Sequence, residues 1–343
     1  MRAARLHGPR DLRVETVPDP VPGPDEVLLR PLYTGLCGSD LHVWHGGAGA
    51  ADGAPMVLGH EFSAEVVSVG PAAGDVRPGT LVTVEPMWTC GGCAPCRRGD
   101  YHLCRAMQWH GLSARTGALA DRTVVRASMV HVLPEGVDAR QGALVEPIAV
   151  AHHAVARANL TPGGSALVIG AGPIGVACAL DLLARGVRRI VVSEPSPVRR
   201  VAAARAFAAV GAPDVLVLDP GADDVPDAVR ALTGGEGTDA VLDAAGVQAA
   251  FTLALAAVRP GGRVVTVAVY LEPVSFHPLT TFLGEVDLVA SCGYRDDFPA
   301  VLDLVRDGRF PLTDLVRTVP LEAVGDAFAE LEAGTALKVL VQL

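Results

Sequence analysis

One stretch near the middle of the chain, residues 166–175, constrains its fold more than any other. It reads ALVIGAGPIG, an apolar run of strand type that ends at Gly170 and is followed by a run of helix type. Gly170, Gly172 and Gly175 fit the G-x-G-x-x-G pattern, which permits a tight turn, close approach of a pyrophosphate and close helix–strand packing. Glu194, at the end of the next strand-like run, stands where a carboxylate would meet the ribose hydroxyls of NAD. The stretch therefore predicts a dinucleotide-binding turn, although the glycines alone also fit a plain strand-to-helix turn.

The second half of the chain alternates between two kinds of segment. Apolar runs of strand type are separated by Ala-rich segments of helix length, a rhythm that implies a parallel sheet with helices on its faces. The strand-like runs lie at 166–169, 189–193, 215–218, 240–243, 263–268 and 287–290. Six such strands match a complete dinucleotide-binding fold. Residues 1–149 look β-rich instead, with short alternating runs broken by Pro and Gly.

Composition and charge exclude several classes of function. The net charge of −10, with no Lys/Arg cluster to offset it, argues against a nucleic-acid-binding surface. No apolar run is long enough to span a membrane, and the N-terminus lacks the apolar core of a signal peptide. We therefore expect a cytoplasmic, reducing setting, in which the 7 cysteines are metal ligands or core thiols. Cys178 and Cys292, on presumed core elements, are predicted to be small buried hydrophobic residues.

Four cysteines form the most specific local pattern. Their spacing, Cys90-x2-Cys93-x2-Cys96-x7-Cys104, lets four thiolates enclose one Zn²⁺ tetrahedrally. A closed four-sulfur site offers no position to a substrate, so its predicted role is structural. An iron–sulfur cluster is the alternative, and four unrelated core thiols are a further one.

A second constellation is spread over three segments. Cys37 begins CGSDLH, His60 and Glu61 lie in GHE, and Glu146 follows much later in LVEP. A thiolate, an imidazole and a carboxylate can bind Zn²⁺ and leave one coordination position open, which catalysis requires. Spacing alone leaves a second interpretation, in which one cysteine and scattered histidines are structural.

Together and in this order, the motifs resemble those of a zinc-containing medium-chain dehydrogenase/reductase of the alcohol dehydrogenase superfamily, over nearly the full chain. The motifs are CGSDLH at 37–42, GHE at 59–61, the four-cysteine segment, Glu146-Pro147, GAGPIG at 170–175 and EPS at 194–196. Within the family, Glu146 and DLHVW at 40–44 look most like polyol (sorbitol-type), 2,3-butanediol and threonine dehydrogenases. The ordinary alcohol dehydrogenases carry a cysteine where Glu146 stands.

The resemblance implies an α/β chain of two domains. A GroES-like, β-rich, zinc-binding catalytic domain would comprise residues 1–149, completed by 294–343. A Rossmann domain with a doubly wound parallel sheet would bind NAD through residues 150–293. The active site would lie in the cleft between the two domains.

The resemblance also implies two zinc ions per chain, a structural ion on the four cysteines and a catalytic ion on Cys37 and His60. Glu61 and Glu146 both sit at ligand positions in relatives. One of them would bind directly while the other holds the zinc water or exchanges with it during turnover, and the resemblance does not rank them. Asp40 would orient a zinc ligand.

The implied reaction is the reversible oxidation of a secondary alcohol to a ketone, with hydride transfer to the nicotinamide. The substrate hydroxyl would occupy the open zinc position, and its proton would leave through Ser39, the ribose hydroxyl and then His42. Ser39 also fits a turn hydroxyl, and His42 an exposed loop histidine.

Glu194 is expected to select NAD over NADP, since a carboxylate accepts from both ribose hydroxyls and repels a 2′-phosphate. Arg199 and Arg200 soften this expectation because an arginine can accept that phosphate, but Arg199 also matches a residue that stacks on adenine in NAD-using relatives. The residues predicted to contact the cofactor are Gly170, Gly172, Pro173, Ile174, Gly175, Glu194, Arg199, Ala268, Val269 and Cys292.

The predicted substrate is a polyol, a vicinal diol or an aminocyclitol, bound by a homodimer or homotetramer with no nucleic-acid or membrane partner. L-Threonine 3-dehydrogenase is the closest rival, although the charged groups it would need are not identifiable. A non-catalytic NAD-binding protein should have lost Cys37, His60 or Ser39, and a zinc-free quinone reductase should lack the four cysteines. The aromatic candidates for substrate contact are Trp44, Trp109, Tyr270 and Tyr294.

Overall fold

The structure is a computed structural model that describes residues 1–46, 54–114, 116–334 and 336–343. The described chain forms two compact units. The first unit contains Met1–Glu146, Phe298–Arg306 and Leu312–Leu343. The second unit contains Pro147–Asp297 and Asp307–Pro311.

Strands and helices are numbered here in chain order. The strands are β1 (Arg2–Gly8), β2 (Asp11–Thr16), β3 (Glu26–Gly35), β4 (Met56–Val57), β5 (Glu61–Val69), β6 (Leu81–Val84), β7 (Met87–Trp88), β8 (Gln108–Trp109), β9 (Thr123–Arg126), β10 (Val130–Val132), β11 (Ser165–Ile169), β12 (Arg189–Ser193), β13 (Leu216–Leu218), β14 (Thr238–Asp243), β15 (Val258–Thr266), β16 (Asp287–Ala290), β17 (Val316–Pro320) and β18 (Lys338–Gln342). The helices are α1 (Gly38–Gly46), α2 (Ala94–Arg97), α3 (Ala139–Gly142), α4 (Val145–Ala158), α5 (Pro173–Ala184), α6 (Pro197–Ala209), α7 (Val225–Thr233), α8 (Gln248–Ala257), α9 (Pro278–Gly284), α10 (Phe298–Arg306) and α11 (Val324–Glu332). Within the described residues, none of these helices is long and apolar enough to cross a membrane.

The first unit is β-rich. Its largest sheet runs in the order β10-β6-β5-β3-β18-β17, with β9 also paired to β3, and smaller sheets are formed by β2-β1-β4 and β7-β8. Buried positions alternate along most of β3, so one of its faces contributes Leu29 to a core shared with Phe62 of β5. β18 runs antiparallel to the end of β3 and places Leu340 opposite Gly35. The end of β3 is therefore flanked by β5 on one side and β18 on the other.

The second unit contains a six-stranded parallel sheet in the order β13-β12-β11-β14-β15-β16. The central strand β11, with the sequence SALVI, is buried at every residue, as expected of a strand covered by helices on both faces. The strand order reverses between β11 and β14, and sheets of this kind bind dinucleotides in the crevice at that point. The predicted α/β class with a doubly wound parallel sheet is confirmed.

The end of β15 differs from the prediction. The run expected over 263–268 ends as a strand at Thr266. The backbone N–H groups of Val267 and Ala268 both donate to the carbonyl oxygen of Asp243, at 2.9 and 3.0 Å, and so leave the ladder with β16. Apolar residues that continue a strand in sequence therefore form a loop at the carboxyl edge of the sheet.

Candidate functional site

Two neighbouring strand ends bring the segments CGSDLH and GHE together in the first unit. Gly35, which ends β3, pairs with Glu61, which begins β5. Cys37 follows β3 closely and His60 immediately precedes β5. As a result, the ligand atoms of Cys37, His60 and Glu61 all lie within 4.8 Å of one another. The structure thus assembles a thiol, an imidazole and a carboxylate, a donor set that suits Zn²⁺.

Asp40 contacts two residues of this group, Cys37 and His60. It is fully buried in α1, where Oδ2 accepts a hydrogen bond from the backbone N–H of Cys37 at 2.9 Å. Its other oxygen, Oδ1, lies 3.4 Å from Nδ1 of His60, an ion-pair distance. Burial opposes a charge on His60, but Asp40 and Cys37 together outweigh burial and hold the pKa of His60 well above its ordinary value. A carboxylate behind one ring nitrogen commonly orients a histidine that binds metal through the other.

The two residues of the predicted proton path lie on the same helix. Ser39 Oγ is 3.3 Å from Nε2 of His60, the ring nitrogen that faces away from Asp40. His42 is exposed on α1. The arrangement places one hydroxyl beside the candidate metal ligands and one imidazole in contact with solvent.

Within the described part of the chain, Glu146 is not a member of the group formed by the other three predicted ligands. It is buried in the first turn of α4. Among the described residues, the group of mutually close ligand atoms consists of Cys37, His60 and Glu61 and does not include Glu146. The structure therefore brings together three of the four predicted ligands of the catalytic ion.

Lys338 is a partner of Glu61 that sequence reasoning missed. It begins β18, is only 3% exposed, and donates a hydrogen bond from Nζ to Oε2 of Glu61. Burial lowers the pKa of Lys338, but Glu61, with smaller contributions from Cys37 and Asp40, outweighs burial and raises this pKa. A signal was available in the sequence, because Lys338 is the only lysine in the chain and begins an otherwise largely apolar strand.

The four-cysteine segment folds around the one-turn helix α2. Gly91 and Gly99 adopt positive φ angles of 66° and 83°, conformations that favour glycine, and turn the chain back on itself. The Sγ atom of Cys93 lies 3.4 Å from that of Cys96 and 3.9 Å from that of Cys104. Four thiolates at about 2.3 Å from one zinc ion would be roughly 3.8 Å apart. Backbone N–H groups, that of Cys96 foremost, lower the pKa of Cys93 to about 6, which favours the thiolate.

The glycines of the glycine-rich turn differ in whether the backbone leaves room for a side chain. Gly170 has a φ of 95°, and an added Cβ at Gly175 would overlap the carbonyl oxygen of Gly170. An added Cβ at Gly172 would meet no described atom within 4 Å. Pro173, which has no N–H group, and Ile174 then open α5, and the N-terminus of a helix is a suitable place for an anion. Gly170 and Gly175 are thus required by the turn itself, whereas Gly172 faces space that a ligand can occupy.

Glu194 is buried and engaged by backbone groups on both sides. Its Oε2 accepts from the N–H of Ala171 at 2.7 Å, and its Oε1 accepts from the N–H of Ser196 at 2.8 Å. Arg200 donates to the carbonyl oxygen of Glu194 and pairs with Asp219 at 3.0 Å. Glu194 therefore braces the glycine-rich turn, a role that the sequence did not reveal, while Arg200 is held by protein partners.

The other predicted cofactor residues surround the carboxyl edge of the same sheet. Ala268 and Val269 follow β15, and Val269 is 68% exposed. Arg199 lies in the first turn of α6, and its Nε has no hydrogen-bond partner within the described chain. Cys292 is exposed, so its predicted burial is wrong, because β16 ends at Ala290 and leaves Cys292 beyond the sheet.

Comparison with known proteins decides the family. Residues 23–135 match the family described as alcohol dehydrogenase GroES-like domain, and residues 173–307 match the family described as zinc-binding dehydrogenase. The chain belongs to the zinc-binding dehydrogenases. The predicted superfamily, GroES-like and Rossmann folds and oxidoreductase class are thereby confirmed.

Relatives of this dehydrogenase match it from end to end. It is 34% identical to the probable D-xylulose reductase A of Arthroderma otae, over 98% of this chain and 95% of that protein. It is 33% identical to the sorbitol dehydrogenase of Bombyx mori, over 99% of this chain and 98% of that protein. The crystal structure of 2R,3R-butanediol dehydrogenase from Bacillus subtilis superposes with a TM-score of 0.91 at 32% identity, covering 100% of this chain and 99% of that one.

Two of the aromatic candidates for substrate contact in the dehydrogenase are buried. Trp44 packs against Phe328, with 5.5 Å between ring centroids, and lies under the guanidinium group of Arg10. Tyr294 is fully buried. Tyr270 is half-buried, and its hydroxyl donates to Asp243. Trp44 and Tyr294 are therefore packing residues, and Tyr270 is the better placed of the candidates near the cofactor edge of the sheet.

Proposed function

We propose that this dehydrogenase reversibly oxidises a secondary alcohol of a polyol, a vicinal diol or an aminocyclitol to the ketone and transfers the hydride to NAD. The proposal depends above all on the group of half-buried Cys37 with buried His60 and Glu61, which has Asp40 behind the histidine. The names of its relatives, which refer to xylulose, sorbitol and butanediol, support the substrate class.

The donor sets fit two zinc ions per chain. Cys37 and His60 would hold the catalytic ion with Glu61 or Glu146, and the four-cysteine segment would hold the structural ion. A cytoplasmic setting would keep these thiols reduced. When bound, the catalytic ion supplies Lewis acidity to the substrate hydroxyl, and the nicotinamide accepts the hydride.

The residues of the chain itself handle the proton. Oxidation of the alcohol releases one proton in addition to the hydride. Ser39 would accept this proton and pass its own onward, a role supported by the position of its hydroxyl beside the candidate ligand His60. His42, exposed on the same helix, would release it to solvent, with a ribose hydroxyl of the cofactor completing the path.

Glu194, Arg200 and Arg199 favour NAD over NADP. Glu194 places a carboxylate at the end of β12, where it would repel a 2′-phosphate. Arg200 is already engaged by Asp219 and by backbone carbonyls. Arg199 would stack on the adenine, as in NAD-using relatives, and Gly172 leaves room for the pyrophosphate that both cofactors carry.

We assign residues 1–149, completed by 294–343, to the catalytic domain, and residues 150–293 to the NAD-binding domain. We further propose that the protein is a homodimer or homotetramer that associates through the second unit. Support comes from the edge strand β16 and from apolar side chains nearby in α9, among them Phe282 and Leu283, which are 76% and 73% exposed. An exposed apolar strand edge commonly marks an association surface. Light scattering on the purified protein tests this assignment.

The function is tested by a screen for NAD reduction over polyols, vicinal diols, aminocyclitols and L-threonine, with and without a chelator. We expect turnover of one of the first three classes and its loss on removal of metal. Cys37→Ser should remove turnover while the fold survives, and Cys178→Ser is a matched control because that buried thiol lies on α5. Turnover confined to threonine would overturn the substrate class. A full metal-dependent rate in Cys37→Ser would overturn the site.

A further inference from the structure

Glu61 and Lys338 come from strands on opposite sides of β3 and meet across it. Glu61 of β5 is paired with Gly35, and Leu340 of β18 is paired with the same glycine on the other side. Lys338, two residues before Leu340, reaches back over Gly35 to Oε2 of Glu61. A Cβ added at Gly35 would overlap Oε2 of Glu61 and lie 3.1 Å from Cε of Lys338. The missing side chain at this position makes the contact possible.

Stability alone is a poor explanation for this pair. The side chains of Lys338 and Glu61 are 4% and 1% exposed. Buried ion pairs recover little more than the cost of removing two charges from water, and apolar residues of similar size often serve as well or better. The only lysine of the chain is therefore buried where it contacts a carboxylate of the candidate metal site.

We propose that Lys338 is a positioning residue that holds Oε2 of Glu61 away from the catalytic metal and so keeps one coordination position open for the alcohol. The inference rests on the proposed function, because it requires a metal on Cys37 and His60. A carboxylate has two oxygens, and Lys338 engages one of them. Without Lys338, Oε2 of Glu61 would lose this partner and would be free to fill the open position that a catalytic zinc site needs.

The test uses the full chain loaded with Co²⁺, which reports its ligands through its visible absorption, and imidazole as a neutral probe of the open position. A neutral probe is chosen so that a change in the charge of the site does not itself alter binding. We expect Lys338→Met to keep cobalt but to bind imidazole at least about tenfold more weakly, the scale on which groups that orient metal ligands act. Lys338→Arg, which keeps a donor, should bind imidazole like the wild type.

Two further variants separate positioning from a general structural role. In Lys338→Met with Glu61→Gln, the released carboxylate is gone, so imidazole binding should return to the wild-type level. Gly35→Ala should push the pair apart and weaken imidazole binding although Lys338 is still present. Both remain informative if Lys338→Met alone fails to fold, since the double variant buries no unpaired charge. Unchanged imidazole binding in Lys338→Met or in Gly35→Ala, or no recovery in the double variant, would overturn the inference.

The single lysine allows a second readout that does not involve activity or cobalt. Protein labelled with ¹⁵N-lysine contains one side-chain ammonium group, that of Lys338. We expect its resonance to move in Glu61→Gln, and an unmoved resonance would show that the pair does not exist. Failure of the proposed function looks different, because Cys37→Ser would then contain as much cobalt as the wild type.

Discussion

The Oδ1 atom of Asp40 lies 3.4 Å from Nδ1 of His60, and the other carboxylate oxygen accepts from the backbone N–H of Cys37. One buried carboxylate thus fixes the orientation of one candidate ligand and the backbone of another. Because Nδ1 is turned toward Asp40, Nε2 is the ring nitrogen that remains for a metal. The Asp40 carboxylate thus holds both candidate ligands in place.

Asp40→Asn tests this arrangement. The amide can still accept from the N–H of Cys37, but it no longer places a negative charge behind His60. We expect the affinity of the Cys37–His60 site for zinc to fall by about 10–100-fold, as for other groups that orient metal-binding histidines. Competition with a chromogenic chelator measures the affinity of the site for zinc. The four-cysteine segment should keep its ion and serves as an internal control, and an unchanged affinity would refute the orienting role.

Cys104→Ser should remove one zinc ion per chain and leave the Cys37–His60 site unchanged. Loss of one thiolate opens a site that is otherwise closed by four, so we expect metal analysis to show one ion instead of two and the melting temperature to fall. Cys178→Ala is the control, because that buried cysteine lies outside both clusters. Equal zinc contents in the two variants would contradict a structural ion at the four cysteines.

Gly172→Ala should weaken binding of NAD, whereas Gly175→Ala should lower the stability of the fold. An added methyl group at Gly172 meets open space, so the variant should unfold at the wild-type denaturant concentration but bind NAD at least about tenfold more weakly, a loss of roughly 1.4 kcal/mol. The added methyl group at Gly175 overlaps the carbonyl oxygen of Gly170, so that variant should lose about 1–3 kcal/mol of stability. Calorimetric titration and urea unfolding measure the two effects, and wild-type NAD affinity in Gly172→Ala would exclude a pyrophosphate at this glycine.

Glu194→Gln should erode the preference for NAD. A carboxylate and a phosphate about 4 Å apart near a protein surface repel by roughly 4 kcal/mol, so removal of the charge should reduce the ratio of kcat/KM for NAD over NADP at least about tenfold. The glutamine keeps an oxygen for one of the two backbone N–H groups that Glu194 binds. Glu236→Gln, an exposed position of the same unit, is the matched control. An unchanged ratio would exclude Glu194 from cofactor selection.

His110 should make the protein sensitive to mild acid. Burial, with a smaller repulsion from His60, lowers the pKa of His110 to about 3, whereas a histidine in an unfolded chain titrates near 6.5. Between these values the unfolded chain binds a proton that the folded chain does not. Stability from this group is therefore complete above about pH 6.5 and falls by up to roughly 1.4 kcal/mol per pH unit below it.

Urea unfolding of His110→Gln at pH 7 and pH 5 measures this contribution. The variant has no charge to acquire at that position, so its stability should decline less than that of the wild type over the same interval. Parallel declines in the two proteins would show that His110 is not kept neutral by the fold.

The sequence was most informative where structure depends on local patterns. The strand β11 and the turn at Gly170 could be predicted because apolar runs and backbone conformations that require glycine are visible in neighbouring residues. The four cysteines could be grouped for the same reason, since they lie within one short segment.

Contacts between distant segments were not predictable in this way. Lys338 and Glu61 are 277 residues apart, and no periodicity relates them. Trp44 lies next to the proton-path segment in sequence, which made it a candidate for substrate contact, but it packs against Phe328 of α11. Burial of a side chain depends on which distant element covers it, and a single sequence does not show this.

The position of β18 beside β3 also has a consequence for biosynthesis. A ribosome that adds about 5–20 residues per second needs roughly 15–55 s to pass from Glu61 to Lys338. During that time the end of β3 has no neighbour on one side, and the last strand of the parallel sheet, β16, ends at Ala290, 48 residues before Lys338. A nascent chain should therefore complete its nucleotide-binding sheet before it can complete its metal centre, and a ribosome stalled between Ala290 and Lys338 would display a half-assembled enzyme.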